Sequence, residues 1–226
     1  MPVKLRTASK AAPKPATASV HPRYSVHPSV LMLQEWIAAL PQKTGRSLEQ
    51  WLRLIKKEAP AGEAQRRDWL KAEHKMGSNT AWWLAERSVG KGGEEDTPEG
   101  YLAQAVRYVD AMYEGKKAGL RPLHDAVIDL ARSIAKDVKI CPCKTIVPLY
   151  REHVFAQIKP ATNSRIDLGL CLIPLMKKGG KVPALLIDTG GFAKKDRITH
   201  RIPLASTEDL TADVKKWLAK AYELDA

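Results

Sequence analysis

Cysteine is scarce in this sequence, with three residues in 226: Cys141, Cys143 and Cys171. A small, odd number without a secretory leader argues against a disulfide framework and for a reducing, cytoplasmic setting. Phenylalanine occurs twice and no run of eighteen apolar residues is present, so no membrane span is expected. The opening segment MPVKLRTASKAAPKPATASVHPRYSV lacks the continuous apolar stretch of a signal peptide and reads as untargeted. Two hydrolase signatures are missing as well. GKGGEE and KKGGKVP do not follow the G-x-x-x-x-G-K-[ST] order or the strand-to-helix setting of a phosphate loop, and no G-x-S-x-G elbow occurs. A metal-dependent nuclease needs carboxylates beside a lysine on neighbouring strands. The DVK triplets at 137–139 and 213–215 fall at a helix end and inside a helix, without a matching upstream acid.

Positive charge is what the chain has in excess. Lysine and arginine number 37 against 25 acidic residues, a formal net charge of +12, with a pI near 9.6. Such a balance favours polyanionic partners, nucleic acid or an anionic surface. Residues 1–27 carry Lys4, Arg6, Lys10, Lys14 and Arg23 and no acid, so they supply 5 of the 12 charges. Rich in Ala, Pro, Lys, Thr and Ser, this segment has too few large apolar groups to offset the entropy of ordering, and a disordered basic tail is expected. A solvated lysine-rich surface accounts for the same composition, and the sequence leaves both readings open.

Periodicity divides the rest. In 28–40, Leu33, Trp36, Ile37 and Leu40 share one helical face until Pro41 stops the run. Ser47 and Gln50 form a capping-box pattern ahead of Leu48, Trp51, Leu52 and Ile55. A third helix is expected over 63–75, burying Trp69 and Leu70, and a fourth, TAWWLAERS, capped by Ser78 or Asn79. Residues 28–88 thus read as a small all-helical domain with Trp36, Trp51, Trp69 and Trp82 in its core. VGKGGEEDTPEG, 89–100, reads as a linker. Within 101–226, two helical patterns precede runs of alternating parity at 143–150, 154–159, 165–172 and 197–204. A helix led by Ser206 closes the chain. The predicted class is α+β, with an antiparallel sheet flanked by helices in the second domain.

Two long ordered stretches carry a resemblance. HPSVLMLQEWIAALPQKTGRSLEQWLRLIKKEAP, continuing through WLKAEHKMGSNTAWWLAERSVG, resembles the small helical bacterial family called domain of unknown function 4287. CKTIVPLYREHVFAQIKPATNSRIDLGLCL and GGFAKKDRITHRIPLASTEDLTADVKKWLAKAYE resemble domain of unknown function 5655, an α+β family that often follows the first. The resemblance implies architecture and brings no catalytic residues. It places THRI in a recurring motif, which singles out His200 and Arg201, and it calls for Pro142 and Lys144 more than for the cysteines beside them. The second half is also loosely similar to α+β domains of frataxin-like shape, a likeness of fold alone.

Candidate sites remain. A zinc site drawn from Cys141, Cys143, Cys171, His153 and His200 has the wrong spacing, since C-x-C on a strand separates its Cα atoms by about 6 to 7 Å. Buried small apolar residues explain these cysteines better, and no cofactor or metal is expected. A helix-turn-helix outline at Gly77 offers Asn79, Thr80, Trp83 and Arg87 for contact; a plain helical bundle explains it better, because tryptophans on such a helix read more naturally as packing. The polar strand parity brings Lys144, Lys159, Arg165 and Arg201 toward one face, with Tyr150 and Phe155 nearby, a surface able to hold a phosphate backbone. The leading expectation is a non-enzymatic binding or adaptor protein with DNA or RNA first among its partners. Its rival is a ligand-binding protein or enzyme with a pocket around Arg165, Asp167, His200 and Arg201. A protein-interaction module is the third reading.

Overall fold

Apolar side chains at helical spacing fold residues 28–88 into α1 Pro28–Ala38, α2 Leu40–Thr44, α3 Leu48–Glu58, α4 Glu63–His74 and α5 Ser78–Ser88. The computed structural model describes residues 23–225. α3 begins as its sequence dictates. Ser47 Oγ accepts the Gln50 N–H at 3.2 Å, while Gln50 Oε1 accepts the Ser47 N–H at 2.8 Å. Two boundaries depart from expectation. Pro41 lies in the first turn of α2 instead of ending a run, because proline lacks only an N–H that a first turn leaves unpaired anyway. Gly77 leads α5, and Ser78 and Asn79 stand inside its first turn with no side-chain cap. The helices enclose Trp51, Ile55, Leu70, Met76, Ala81 and Leu84. Trp82, expected inside, is 49% exposed. Its neighbour Trp83 turns inward and meets Trp36 edge to face at 4.6 Å.

The acids of 89–100 tether this region. Asp96 pairs with Arg87 at 2.6 Å and its carbonyl accepts the Gln34 amide at 3.1 Å, while Glu95 accepts the Tyr108 hydroxyl. The segment ends in helix, since Thr97 caps α6, Pro98–Met112. A 3₁₀ turn Gly115–Leu120 and α7 Arg121–Arg132 follow. Six strands come next: β1 Lys139–Ile140, β2 Val147–Tyr150, β3 Val154–Pro160, β4 Ile166–Leu170, β5 Ile187–Asp188 and β6 His200–Leu204. Short helices α8 Ile173–Lys177 and α9 Gly191–Lys194 flank β5, and α10 Ala212–Glu223 closes the fold. Thr211, not Ser206, caps α10; Ser206 opens the 3₁₀ turn Thr207–Asp209 just before it. Every strand pairing is antiparallel, in the order β1-β2-β3-β4-β6-β5, so the α+β class holds.

Side-chain alternation sets the two faces of the sheet. The rows Ile158–Leu168–Ile202 and Leu170–His200 are buried. They share one core with Val109 of α6, Val127 and Ile128 of α7, and Val214 and Leu218 of α10. The rows Lys159–Asp167–Pro203 and Gln157–Gly169–Arg201 form the opposite, open face. Gly169 is required there, since a Cβ would stand 2.7 Å from Ile198 Cγ2, which folds over the sheet. A β-bulge corrects the expectation for Phe155. Leu149 pairs with Ala156 and Tyr150 with Val154, so Phe155 is the extra residue; it is buried against the Tyr222 ring at 5.5 Å instead of standing beside Tyr150 on the basic face.

Residues 23–27, expected within the disordered tail, are ordered along the sheet edge. Ser25 N–H donates to the Ile140 carbonyl at 2.8 Å, Tyr24 is buried and Arg23 pairs with Asp125 at 2.9 Å. Averaging composition over 27 positions hid the local apolar pair Tyr24 and Val26, which packs with the larger core. The remainder of the expected tail, 1–22, lies outside the described residues. No helix among the described residues is long and apolar enough to cross a membrane.

Candidate functional site

Four lysines converge where the 3₁₀ turn, the loop before β2 and the end of β3 meet. Lys116 and Lys117 follow each other on the turn, Lys144 sits in the loop, and Lys159 stands on the open face between buried Ile158 and Pro160. Together with Thr145 and Asn163 they line a cleft of about 550 Å³, in which Glu114 is the acidic member. Lys117 is anchored by donating from Nζ to the Pro160 carbonyl at 2.8 Å. Lys116, Lys144 and Lys159 have no ion-pair partner among the described residues. Unpaired ammonium groups lining one cleft keep a positive potential that an anion relieves.

The expected arginine cluster is different in kind. Asp167, 15% exposed, accepts from Arg201 Nη1 at 3.0 Å and forms an ion pair with Arg165, whose Nε stands 2.9 Å away without hydrogen-bond geometry, so one carboxylate offsets half the charge of two guanidiniums. Lys159 is the cross-strand partner of Asp167 and links this cluster to the cleft. His200 does not join it. The pleat turns His200 to the buried face, 2% exposed, with Nδ1 3.0 Å from Thr199 Oγ1. Burial lowers its pKa below the ordinary histidine range. Arg165, Asp167 and Arg201 are therefore brought together, and His200 lies on the other side of the sheet.

In the helical unit, Asn79 is exposed at the start of α5. Arg87 is only 12% exposed, committed to Asp96, to the Lys91 carbonyl at 3.0 Å and to the Trp83 ring at 4.7 Å. Of the outward set expected for a recognition helix, Trp83 and Arg87 are thus occupied in packing. All three cysteines are free thiols. Burial pushes the Cys141 thiol up to about 12, and it donates to the Val26 carbonyl. Among the described residues, no group of three or more histidine, cysteine or acidic side chains is placed to hold a metal ion.

Sequence reasoning missed Lys116 and Lys117. Their signal is a lysine pair between Gly115 and Gly119 with no apolar period, which marks a charged turn, but nothing local tells which strand it faces. It also missed His27, Tyr101 and Tyr108, which line a second cavity beside the cleft.

Fold and cleft together define a class: an antiparallel α+β domain with one open, basic sheet face, joined to a compact helical unit. Residues 109–225, more than half of the chain, match the family described as Domain of unknown function (DUF5655), and the protein belongs to that family. Residues 32–86, from α1 into α5, match a second description, Domain of unknown function (DUF4287). No curated protein and no solved structure matches the chain.

Proposed function

We propose that the protein binds nucleic acid, without catalysis, by seating the phosphate backbone in the lysine cleft. The observation that supports this reading is the convergence of Lys116, Lys117, Lys144 and Lys159 on one cavity with a single acidic lining residue. Lysine neutralises phosphate as a point charge and releases condensed counterions, which gives an affinity that falls steeply with salt. A catalytic pocket built on Arg165, Asp167, His200 and Arg201 has less support, because His200 and the other three occupy opposite faces of the sheet.

The test is a fluorescence-anisotropy titration of the full chain with mixed-sequence DNA and RNA oligonucleotides between about 50 and 200 mM salt. Binding at low salt with a clear negative slope of log affinity against log salt is expected. The paired replacement Lys144→Gln, Lys159→Gln should reduce that slope by about 2, roughly one per lysine. No binding at low salt, or an unchanged slope in the paired variant, would overturn the assignment.

A further inference from the structure

We infer that the cleft takes single-stranded nucleic acid, with an unpaired base entering the pocket next to it; this rests on the function proposed above. Three cavities lie in series and share their walls. Lys144 lines both the lysine cleft and a pocket of about 230 Å³. His27 and Cys143 line both that pocket and a groove of about 580 Å³ over the open sheet face. The three cavities adjoin through these shared residues, and the chemistry changes from one to the next: ammonium groups in the cleft, then the rings of Tyr101, Tyr108 and His27, then Tyr150, Pro148 and Gln157 in the groove.

The rings are fixed in place. His27 Nδ1 accepts the Ser29 N–H at 3.1 Å, so the neutral ring carries its proton on Nε2 and donates it to the Tyr150 hydroxyl oxygen at 2.9 Å. Burial lowers the His27 pKa, so the ring adds an aromatic wall and no charge. Tyr101 donates to the Pro142 carbonyl at 2.8 Å, and Glu95 accepts the Tyr108 hydroxyl. That carboxylate decides how a nucleotide is sorted. It repels phosphate from its side of the pocket and accepts from base N–H groups, while Lys144 at the shared wall and Lys116, Lys117 and Lys159 in the cleft attract phosphate. A neutral planar ring therefore belongs in the pocket and its backbone in the cleft. A base paired and stacked in a duplex presents neither its flat face nor its pairing edge, so only an unpaired strand can use both cavities at once.

The test compares anisotropy titrations of the full chain with a labelled single-stranded DNA, an RNA of the same sequence and the corresponding DNA duplex, at one salt concentration. At least one single strand should bind tenfold or more tightly than the duplex. Tyr108→Ala should weaken single-strand binding about tenfold with an unchanged salt slope, and Tyr108→Phe should restore it, because stacking needs the ring and not the hydroxyl. As a second readout independent of any variant, photo-crosslinking of a 5-iodouracil strand to the parent chain should label peptides carrying Tyr108, Tyr101 or His27, which line the pocket. A duplex bound as tightly as both single strands, or crosslinks confined to peptides outside the pocket, would overturn the single-strand inference and leave the proposed function standing. Absence of binding to all three nucleic acids would overturn both.

Discussion

His124 sits wholly inside the larger core, with Nδ1 3.0 Å from the Tyr113 hydroxyl and Nε2 without a hydrogen-bond partner among the described residues. Burial, reinforced by the positive charges of Arg121 and Arg23, pulls its pKa down to about 3. In the unfolded chain the same ring titrates near ~6.5. Between those values the unfolded chain binds a proton that the folded one does not. Stability is therefore whole above about pH 6.5 and is lost progressively as pH falls toward 3. At about 1.4 kcal/mol per unit, moving from pH 7 to pH 5 should cost roughly 2 kcal/mol. Burial lowers the pKa of His27 and His200 too, which acts in the same direction. Urea unfolding of the parent and of His124→Leu at both pH values checks this; an equal acid loss in the two would exclude His124 as the source. Single residues were unevenly legible. The parity of β6 already set His200 with the apolar positions, whereas the meeting of Lys116 and Lys117 with Lys144 and Lys159 depends on a tertiary approach that no local pattern encodes.

Elements were legible where one period ran uninterrupted. α3 and α7 follow from their apolar spacing, and β4 and β6 from clean alternation. Two-residue strands such as β1 and β5 are too short for any period, and the bulge in β3 defeats parity by adding a residue. One carboxylate ties the start of the bulged strand β3 to the end of the chain. Asp225, its side chain 4% exposed, receives Arg197 Nη2 at 2.5 Å and the His153 N–H at 2.8 Å. Arg197 in turn donates from Nε to the Val154 carbonyl at 2.6 Å. The residues after α10, the turn between β2 and β3, and the loop carrying Ile198 over Gly169 are joined there. Asp225→Ala leaves the guanidinium and an amide without their acceptor and should cost about 3 kcal/mol in urea or thermal unfolding. Asp225→Asn keeps an acceptor for the His153 N–H and should cost less. A loss from the alanine variant no larger than from an exposed surface substitution would show that the junction is held elsewhere.

At the scale of the whole molecule, the chain does not run simply from a helical domain into an α+β domain. Tyr24 and Val30 belong to the α+β core, the next helices gather around Trp51, Ile55 and Leu70, and α6 returns to the first core. The helical unit is thus an excursion between two segments that pack on the same body. Residues 23–27 cover the β1 edge, whose N–H and carbonyl groups would otherwise be open to another strand. A chain beginning at residue 23 should keep the unfolding free energy of the full chain within about 0.5 kcal/mol, because it retains every one of these contacts. Under the proposed function, its affinity for nucleic acid should fall through the loss of Lys4, Arg6, Lys10 and Lys14. Starting at residue 28 instead removes the buried Tyr24 ring and the Ser25 pairing with Ile140, and should cost about 3 kcal/mol or more. Urea unfolding of the three chains, with light scattering to detect edge-to-edge association of the shortest, separates the contributions. If the chain from residue 28 were as stable and as monodisperse as the chain from residue 23, the arm over residues 23–27 would be decoration on the sheet edge.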